Sequence, residues 1–296
     1  MIKTAVIGYG NVGKAAVEAV LASPDLSLVG VVRHSGGGLS GLPGVAVADS
    51  VENLPQKPQA AILALPSRMV PEAAVKLLRK GIATADSFDI HGDIPQMRAR
   101  LDRVAKENGV AAILSAGWDP GLDSAVRALL EASAPRGITY TDFGPGMSMG
   151  HTVAVKAITG VKDALSLTVP LGTGLHRRMV YVELLPGAEL GRVEEAIRAD
   201  PYFIHDETHV IPVERVADLM DRGHGVHLSR KGVSGQRDSQ RFSFDMAIDN
   251  PALTGQLMAS AARGAVRQQP GCYTMIEIPP IDLLPGGRED LVRRLV

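Results

Sequence analysis

The first residues constrain this chain more than any other stretch. A compact β-branched run, Thr4–Ile7, delivers the backbone into Gly8-Tyr9-Gly10-Asn11-Val12-Gly13. An alanine-rich helical pattern, Asn11–Leu21, follows at once. In a strand–turn–helix of this kind each glycine has a separate task. Gly8 permits a tight turn, Gly10 lets a pyrophosphate approach the backbone, and Gly13 allows close helix–strand packing. The helix N-terminus then offers unsatisfied amide donors to phosphate. Glycine-rich turns also occur as plain structure, but the position between a first strand and a first helix favours dinucleotide binding. Gly8, Tyr9, Gly10, Asn11, Val12 and Gly13 are therefore expected to bind cofactor.

The pattern continues beyond that turn. Apolar runs at Leu26–Val32, Ala60–Leu65, Ile82–Ala85 and Val110–Leu114 alternate with helical stretches at Pro71–Lys80 and Pro95–Asn108. Continuous apolar strands between helices indicate a parallel sheet buried on both faces. The Gly36–Gly38 run and Leu42-Pro43-Gly44 mark a loop within it. From about Asp119 the texture changes. Phe242, Phe244, Met246 and Ile248 alternate with polar residues, as in a half-exposed antiparallel strand. Strand-like pieces at Ala164–Val169 and Met179–Leu184, with a helical stretch at Gly191–Ala199, complete an α+β region. Pro251–Gln268 is again helical, followed by the apolar piece Tyr273–Ile278 and a short helix, Glu289–Val296. The expected fold is α/β, a doubly wound parallel sheet with an inserted α+β substrate and dimerisation domain. Its expected limits are 1–118, 119–249 and a returning segment, 250–296.

Composition narrows the ligand. With 31 Lys+Arg against 32 Asp+Glu among 296 residues, the net charge is −1. That gives no electrostatic footprint for nucleic acid or an anionic membrane. Aromatics at 4% leave few stacking platforms for single strands. The lone Cys272 excludes an internal disulfide. No apolar run is long enough to span a bilayer, and the N-terminus reads into a strand without a cleavage-site pattern. A cytoplasmic protein acting on small molecules is expected. The eight histidines contain no His-Glu-x-x-His pair, so no catalytic metal is expected. A Tyr-x-x-x-Lys pair is also missing from the sequence.

Ligands of open α/β sheets bind beyond the carboxyl ends of the strands. After Val32 stands Arg33-His34-Ser35, with no carboxylate to hold a ribose hydroxyl and repel a 2′-phosphate. Arg33 can present a planar fork to that phosphate with His34 beside it, which favours NADP over NAD; Arg33 also fits an ordinary surface arginine. The other strand-end turns expected against the cofactor carry Leu65, Pro66 and Ser67, then Ser87, Phe88 and Asp89, then Ala116, Gly117, Trp118, Asp119 and Pro120. Asp89 and Asp119 could share one pocket, suiting a cationic amine and its deprotonation. Each has a plainer reading: Asp89 as a turn residue, and Asp119 before Pro120 as a helix N-cap.

These turns, with Phe143-Gly144-Pro145-Gly146-Met147-Ser148-Met149-Gly150-His151, Gly223-His224-Gly225, Asn250-Pro251 and the Gln268–Ile278 tail, closely resemble the meso-diaminopimelate D-dehydrogenase family. The resemblance extends over essentially the whole chain. It implies a Rossmann-type domain, a homodimer, and NADP-dependent reversible oxidative deamination of meso-2,6-diaminopimelate at its D-centre. The products would be L-2-amino-6-oxopimelate, ammonia and NADPH; the reverse direction would feed lysine and cell-wall precursor synthesis. Asp89 and Asp119 match the catalytic positions at the D-centre. Trp118, Phe143, Met149, Gly150 and His151 match the pocket around it. Thr168, Arg178, His224 and Asn250 match residues that grip the distal L-centre. The short Pro170–Arg178 segment resembles a subgroup with broader D-amino-acid acceptance, and some members carry two arginines where Arg33-His34 stands. Other readings of the residues remain another reductase of amino-acid biosynthesis on this fold, or a non-catalytic NADP(H)-binding protein.

Overall fold

The computed structural model describes residues 1–33, 42, 44–219 and 223–296. His34 and most of the expected glycine loop lie outside the described residues. β1 (Ile2–Ile7) runs into α1 (Asn11–Ala22), followed by β2 (Leu26–Val32), β3 (Val47–Ala48), β4 (Ala60–Leu63) and α2 (Val70–Leu78). Next come β5 (Ala83–Asp86), α3 (Ile94–Glu107), β6 (Ala111–Ile113) and α4 (Leu122–Ser133). The middle of the chain holds β7 (Arg136–Phe143), β8 (Gly146–Met147), α5 (Met149–Lys156), β9 (Val161–Gly172), β10 (Leu175–Leu184) and α6 (Leu190–Ala199). β11 (Glu207–Pro212), β12 (Gly223–Ser234) and β13 (Arg237–Asp249) end it, before α7 (Asn250–Arg267), β14 (Gly271–Tyr273) and α8 (Arg288–Leu295).

Among the described residues, seven strands form one sheet in the order β14-β6-β5-β4-β1-β2-β3. All its pairings are parallel. Successive strand residues point to opposite faces, and the sequence fills both. Val6, Val31, Ile62 and Ile113 pack with Ala16 and Val20 of α1 and Met258 and Ala262 of α7. Ala61, Leu63, Ala112 and Leu114 pack with Val75 and Leu78 of α2 and Leu101 of α3. This is why the strands read as unbroken apolar runs. The two-residue β3 follows the Leu42-Pro43-Gly44 turn in a stretch given no element from the sequence; it is a strand only through pairing with Val31 and Val32.

The chain divides into two compact units, Met1–Ala125 with Pro251–Val296, and Val126–Asn250. The junction therefore falls inside α4, several residues beyond the expected limit at 118. The tail rejoins the first unit by laying β14 beside β6. Beyond Tyr273 the apolar piece is not extended: Thr274 and Glu277 form a reciprocal capping box around a short 3₁₀ turn.

The second unit contains a four-stranded sheet, β11-β10-β9-β8, and a three-stranded one, β13-β12-β7. β9 and β10 form an antiparallel hairpin whose two loop residues, Thr173 and Gly174, hold φ of +55° and +81°. That is the backbone of a type I′ turn. β10 and β11 pair in parallel, because the intervening helix α6 makes a crossover instead of a hairpin. Among the described residues, no helix is long and apolar enough to cross a membrane.

The returning segment is fastened electrostatically. Arg263 of α7 is 1% exposed. It donates from Nε and Nη2 to both carboxylate oxygens of Asp25, at 2.6 and 2.7 Å, and from Nη1 to the Leu283 carbonyl at 2.8 Å. The guanidinium holds the Asp25 carboxyl below its ordinary range. Removing one member of such a buried pair strands the other. Arg263→Met is expected to lower the unfolding free energy by about 3 kcal/mol at pH 7. In urea titrations that gap should narrow as pH falls below the ordinary aspartate range and Asp25 protonates. A gap independent of pH would contradict this role.

Candidate functional site

The glycine turn is built as tightly as its sequence suggests. Gly8 holds φ of +95°, and a Cβ on it would lie 2.2 Å from the Ala64 carbonyl oxygen beyond β4. A Cβ on Gly13 would lie 2.3 Å from the Gly8 carbonyl oxygen. At Gly10, by contrast, a Cβ would meet nothing within 4 Å. Two glycines thus close the turn against the sheet, and the third faces open space at the N-cap of α1, which has no side-chain cap. That is the cradle a pyrophosphate requires, with first-turn amides directed at it. At the end of β2, the Arg33 N–H donates to the Ala48 carbonyl at 2.9 Å. Its guanidinium lies over the Tyr9 ring, 5.8 Å from the centroid. Lys14 approaches the same ring at 5.9 Å. Lys14 went unnoticed in the sequence, although it stands one helical turn past Gly10. The donor set therefore fits a nicotinamide dinucleotide.

The neighbouring strand ends are joined to one another. Ser67 Oγ, after β4, donates to Asp89 Oδ1 at 2.6 Å, and the Asp89 N–H returns to Ser67 Oγ at 3.4 Å. Asp86, the last residue of β5, is fully buried. Its Oδ1 accepts the N–H of Phe88 at 3.0 Å and the N–H of Ser115 at 3.1 Å. Its backbone carbonyl accepts the Ala116 N–H at 2.6 Å. One residue thereby clamps the turn carrying Asp89 to the turn leading to Asp119. Ser115 holds φ of +60°, uncommon for a residue with a side chain, so the clamp fastens the backbone where it bends hardest. Asp86 opens the turn that carries Asp89, yet its role was invisible because its second partner is 29 residues away.

Beyond Ser115 the chain closes on itself. Gly117 N–H donates to the Pro120 carbonyl, and the N–H groups of Leu122 and Asp123 donate to the carbonyls of Gly117 and Trp118. Gly121, at φ +145°, has no room for a Cβ, which would lie 2.0 Å from the Gly117 carbonyl oxygen. α4 begins at Leu122, so Asp119 is carried by this loop and does not cap the helix. Trp118 is buried beside it, and Phe88 is buried in the apolar layer of α2 and α3.

The second unit gathers another group of the expected residues. Thr168 and Arg178 face each other in the β9–β10 register, and Arg178 Nη1 donates to Thr168 Oγ1. Arg178 Nε donates to Asp206 Oδ2 at 2.6 Å. The Phe143 N–H donates to His176 Nε2 at 2.6 Å, with the two rings 5.2 Å apart. Gly146 pairs with Thr168, and a Cβ on it would lie 2.2 Å from the Gly223 carbonyl oxygen. The Phe143–His151 motif is therefore pressed against the Gly223–Gly225 motif. His224 is buried there, and the Gly225 N–H donates to its Nδ1 at 2.8 Å. Burial, with Arg178 and His176 nearby, pushes the His224 imidazole down to about 4, so it is neutral at pH 7. Asp206 lies in no motif, and His176, though inside the Pro170–Arg178 segment, had been given no role.

Other expected residues are placed differently. The His151 ring stands edge-on to Tyr202 and Phe203, each 5.0 Å away, and its Nδ1 meets Ser148 Oγ at 2.7 Å. Met149 and Gly150 open α5, with Met149 packed near Met147, Leu165 and Val216. Asn250 is the first residue of α7 and is buried. Among the described residues, no group of three or more His, Cys, Asp or Glu side chains is placed to hold a metal.

Burial pushes the Asp86 carboxyl up to about 6, against the two N–H donors that lower it. An aspartate raised in the folded state binds its proton more tightly there than in the unfolded chain. Its contribution to stability is therefore present below the ordinary aspartate range and lost as pH rises through about 6. Asp86→Asn should remove that slope between pH 4 and 7 in thermal unfolding, while its amide oxygen still accepts both N–H groups. A variant with an unchanged slope would contradict the assignment.

Two family models match parts of the chain. The model of an oxidoreductase family with an NAD-binding Rossmann fold matches residues 2–85. The model of the diaminopimelic acid dehydrogenase C-terminal domain matches residues 117–175. The chain is 54% identical over 297 residues to meso-diaminopimelate D-dehydrogenase of Bacteroides fragilis, spanning 100% of this chain and 99% of that protein. It is 30% identical over 319 residues to the Corynebacterium glutamicum enzyme of the same name, covering 99% and 98%. Among solved structures, C. glutamicum DAP dehydrogenase in complex with DAP superposes with a TM-score of 0.89 at 30% identity, covering 100% and 99%. An engineered D-amino acid dehydrogenase bound to NADP+ gives 0.88 at 26% identity, with the same coverage. With its dinucleotide turn, its clamped acidic turns and full-length identity to these enzymes, the chain belongs to the meso-diaminopimelate D-dehydrogenase family.

Proposed function

We propose that this amino-acid dehydrogenase catalyses the NADP-dependent, reversible oxidative deamination of meso-2,6-diaminopimelate at its D-centre. The observation that carries the reading is the pair of acidic turns, bearing Asp89 and Asp119, clamped at the ends of adjacent strands β5 and β6. The carboxyl ends of such strands are where an open α/β sheet binds its ligands. When bound, the cofactor supplies the acceptor for the α-hydrogen and its electron pair. Asp89 and Asp119 hold the substrate ammonium by charge and hydrogen bonding and fix the direction of that hydrogen. Asp89 is itself held by Ser67, so its lone pairs keep one orientation. Loss of a proton from the ammonium frees the nitrogen lone pair to form the C=N bond as the hydride departs. Water then adds to carbon and the nitrogen leaves as ammonium, giving L-2-amino-6-oxopimelate, NADPH and one proton for each substrate, NADP and water consumed.

Trp118, Phe143, Met149, Gly150 and His151 would shape the pocket, and Thr168, Arg178, His224 and Asn250 would hold the distal L-centre. Neutral His224 suits a hydrogen-bonding role beside Arg178. Arg33 is the reason to assign NADP: a guanidinium follows β2 where an NAD enzyme would present a carboxylate. The assignment includes a homodimer working in the cytoplasm. The short hairpin at Thr173-Gly174 supports acceptance of other D-amino acids at lower efficiency.

Purified protein with meso-diaminopimelate and NADP at alkaline pH should generate NADPH absorbance and release one ammonia per NADPH. An intact fold with no turnover would refute the activity. Asp119→Ala is expected to lower turnover by roughly 100-fold or more while changing NADP affinity little; equal losses in both would argue for a structural loop residue. Arg33→Ala should weaken NADP binding about tenfold or more, with NAD little affected; equal effects on both cofactors would contradict the assignment.

A further inference from the structure

Asp206 is part of the Arg178 cluster but belongs to none of the motifs, and the activity as written leaves it without a task. Its carboxylate pairs with Arg178 Nε at 2.6 Å, while Thr168 takes Nη1. The two side chains retain only 13% and 23% of their exposure. An arginine meant only for a carboxylate gains nothing from this neighbour. A second carboxylate brought to Arg178 would lie close to the first, and the Arg178–Asp206 pair is already neutral. The two imidazoles beside it supply no compensating charge, since burial and Arg178 lower both His176 and His224. A neutral pair with separated charges instead complements a head group that carries both signs. The distal centre of an α,ω-diamino dicarboxylate is such a group, with ammonium and carboxylate on one carbon.

We infer that Asp206 is a specificity-determining residue that receives the ammonium of the distal amino-acid head while Arg178 receives its carboxylate. The inference rests on the proposed activity and adds to it a reason for preferring a substrate with an amino acid at both ends. The placement follows from local structure. Asp206 precedes β11, whose Thr208 pairs with Arg178 in the parallel register. Thr208 Oγ1 donates to the Asp206 carbonyl at 3.1 Å, and the Asp206 N–H donates to the Phe203 carbonyl at 3.1 Å. The aspartate backbone is therefore fixed on both sides, and its carboxylate is presented to the guanidinium without being sealed from solvent.

The test compares meso-diaminopimelate with D-2-aminopimelate, which keeps the far carboxylate and lacks the far ammonium. Wild-type protein should favour meso-diaminopimelate in kcat/KM by at least about tenfold, mostly through KM. Asp206→Asn, close in size and uncharged, should collapse that preference by a similar factor, with meso-diaminopimelate losing more than D-2-aminopimelate. Equal losses on both substrates would mean that Asp206 only orients Arg178, and would overturn the inference. So would a wild-type enzyme that does not distinguish the two substrates, a result that needs no variant to fold. Failure of wild-type protein to turn over either substrate would refute the underlying activity instead, and the inference with it.

Discussion

The N–H groups of Phe88 and Ser115 converge on a single carboxylate oxygen, Asp86 Oδ1, and the rest of the proposed chemistry hangs from that point. Strand ends are free to diverge once their ladder bonds stop. Here the β5 and β6 turns are bound together after the ladder has ended, and Asp89 is bound in turn to Ser67 beyond β4. Three consecutive strand ends thus share one hydrogen-bonded frame. Desolvating Asp86 raises its carboxyl toward neutrality, which is the energetic cost of placing an acid where backbone donors need an acceptor.

The same economy of space explains the cofactor side. Gly8 and Gly13 leave no room for a Cβ, so β1, the turn and α1 pack backbone to backbone. Gly10 alone opens outward. The chain as a whole is nearly neutral, yet its charges are sorted. Arg33 and Lys14 flank Tyr9, carboxylates occupy the ends of β5 and β6, and a largely buried cation–anion pair, Arg178 with Asp206, stands at the β9–β11 sheet. Total charge describes how such a protein behaves in bulk water; the local arrangement decides which head groups it can bind.

Much of the parallel sheet was legible because local rules suffice for it. Leu26–Val32 is β2 residue for residue, and α1, α2 and α3 begin and end within two residues of their patterns. Each is an apolar run or an amphipathic stretch bounded by glycine or proline. The glycine turn was legible for the same reason. What failed depended on partners distant in sequence. Val47 and Ala48 form a strand only because Val31 and Val32 lie beside them. Asp119-Pro120 spells a helix cap, but Gly121 lets the chain fold back on Gly117 before the helix starts. Asp86 and Asp206 act on groups roughly thirty residues away, a spacing with no periodic signature.

The central claim is that hydrogen leaves the D-configured carbon of meso-diaminopimelate and travels with its electron pair to NADP. The most direct measurement uses substrate carrying deuterium at that carbon alone, with mass spectrometry of the reduced cofactor after a single turnover. Direct transfer puts one deuterium in each NADPH formed, releases one ammonia with it, and runs slower than with unlabelled substrate if hydride transfer limits turnover. Unlabelled NADPH, or deuterium appearing only when the L-centre carries the label, would contradict it.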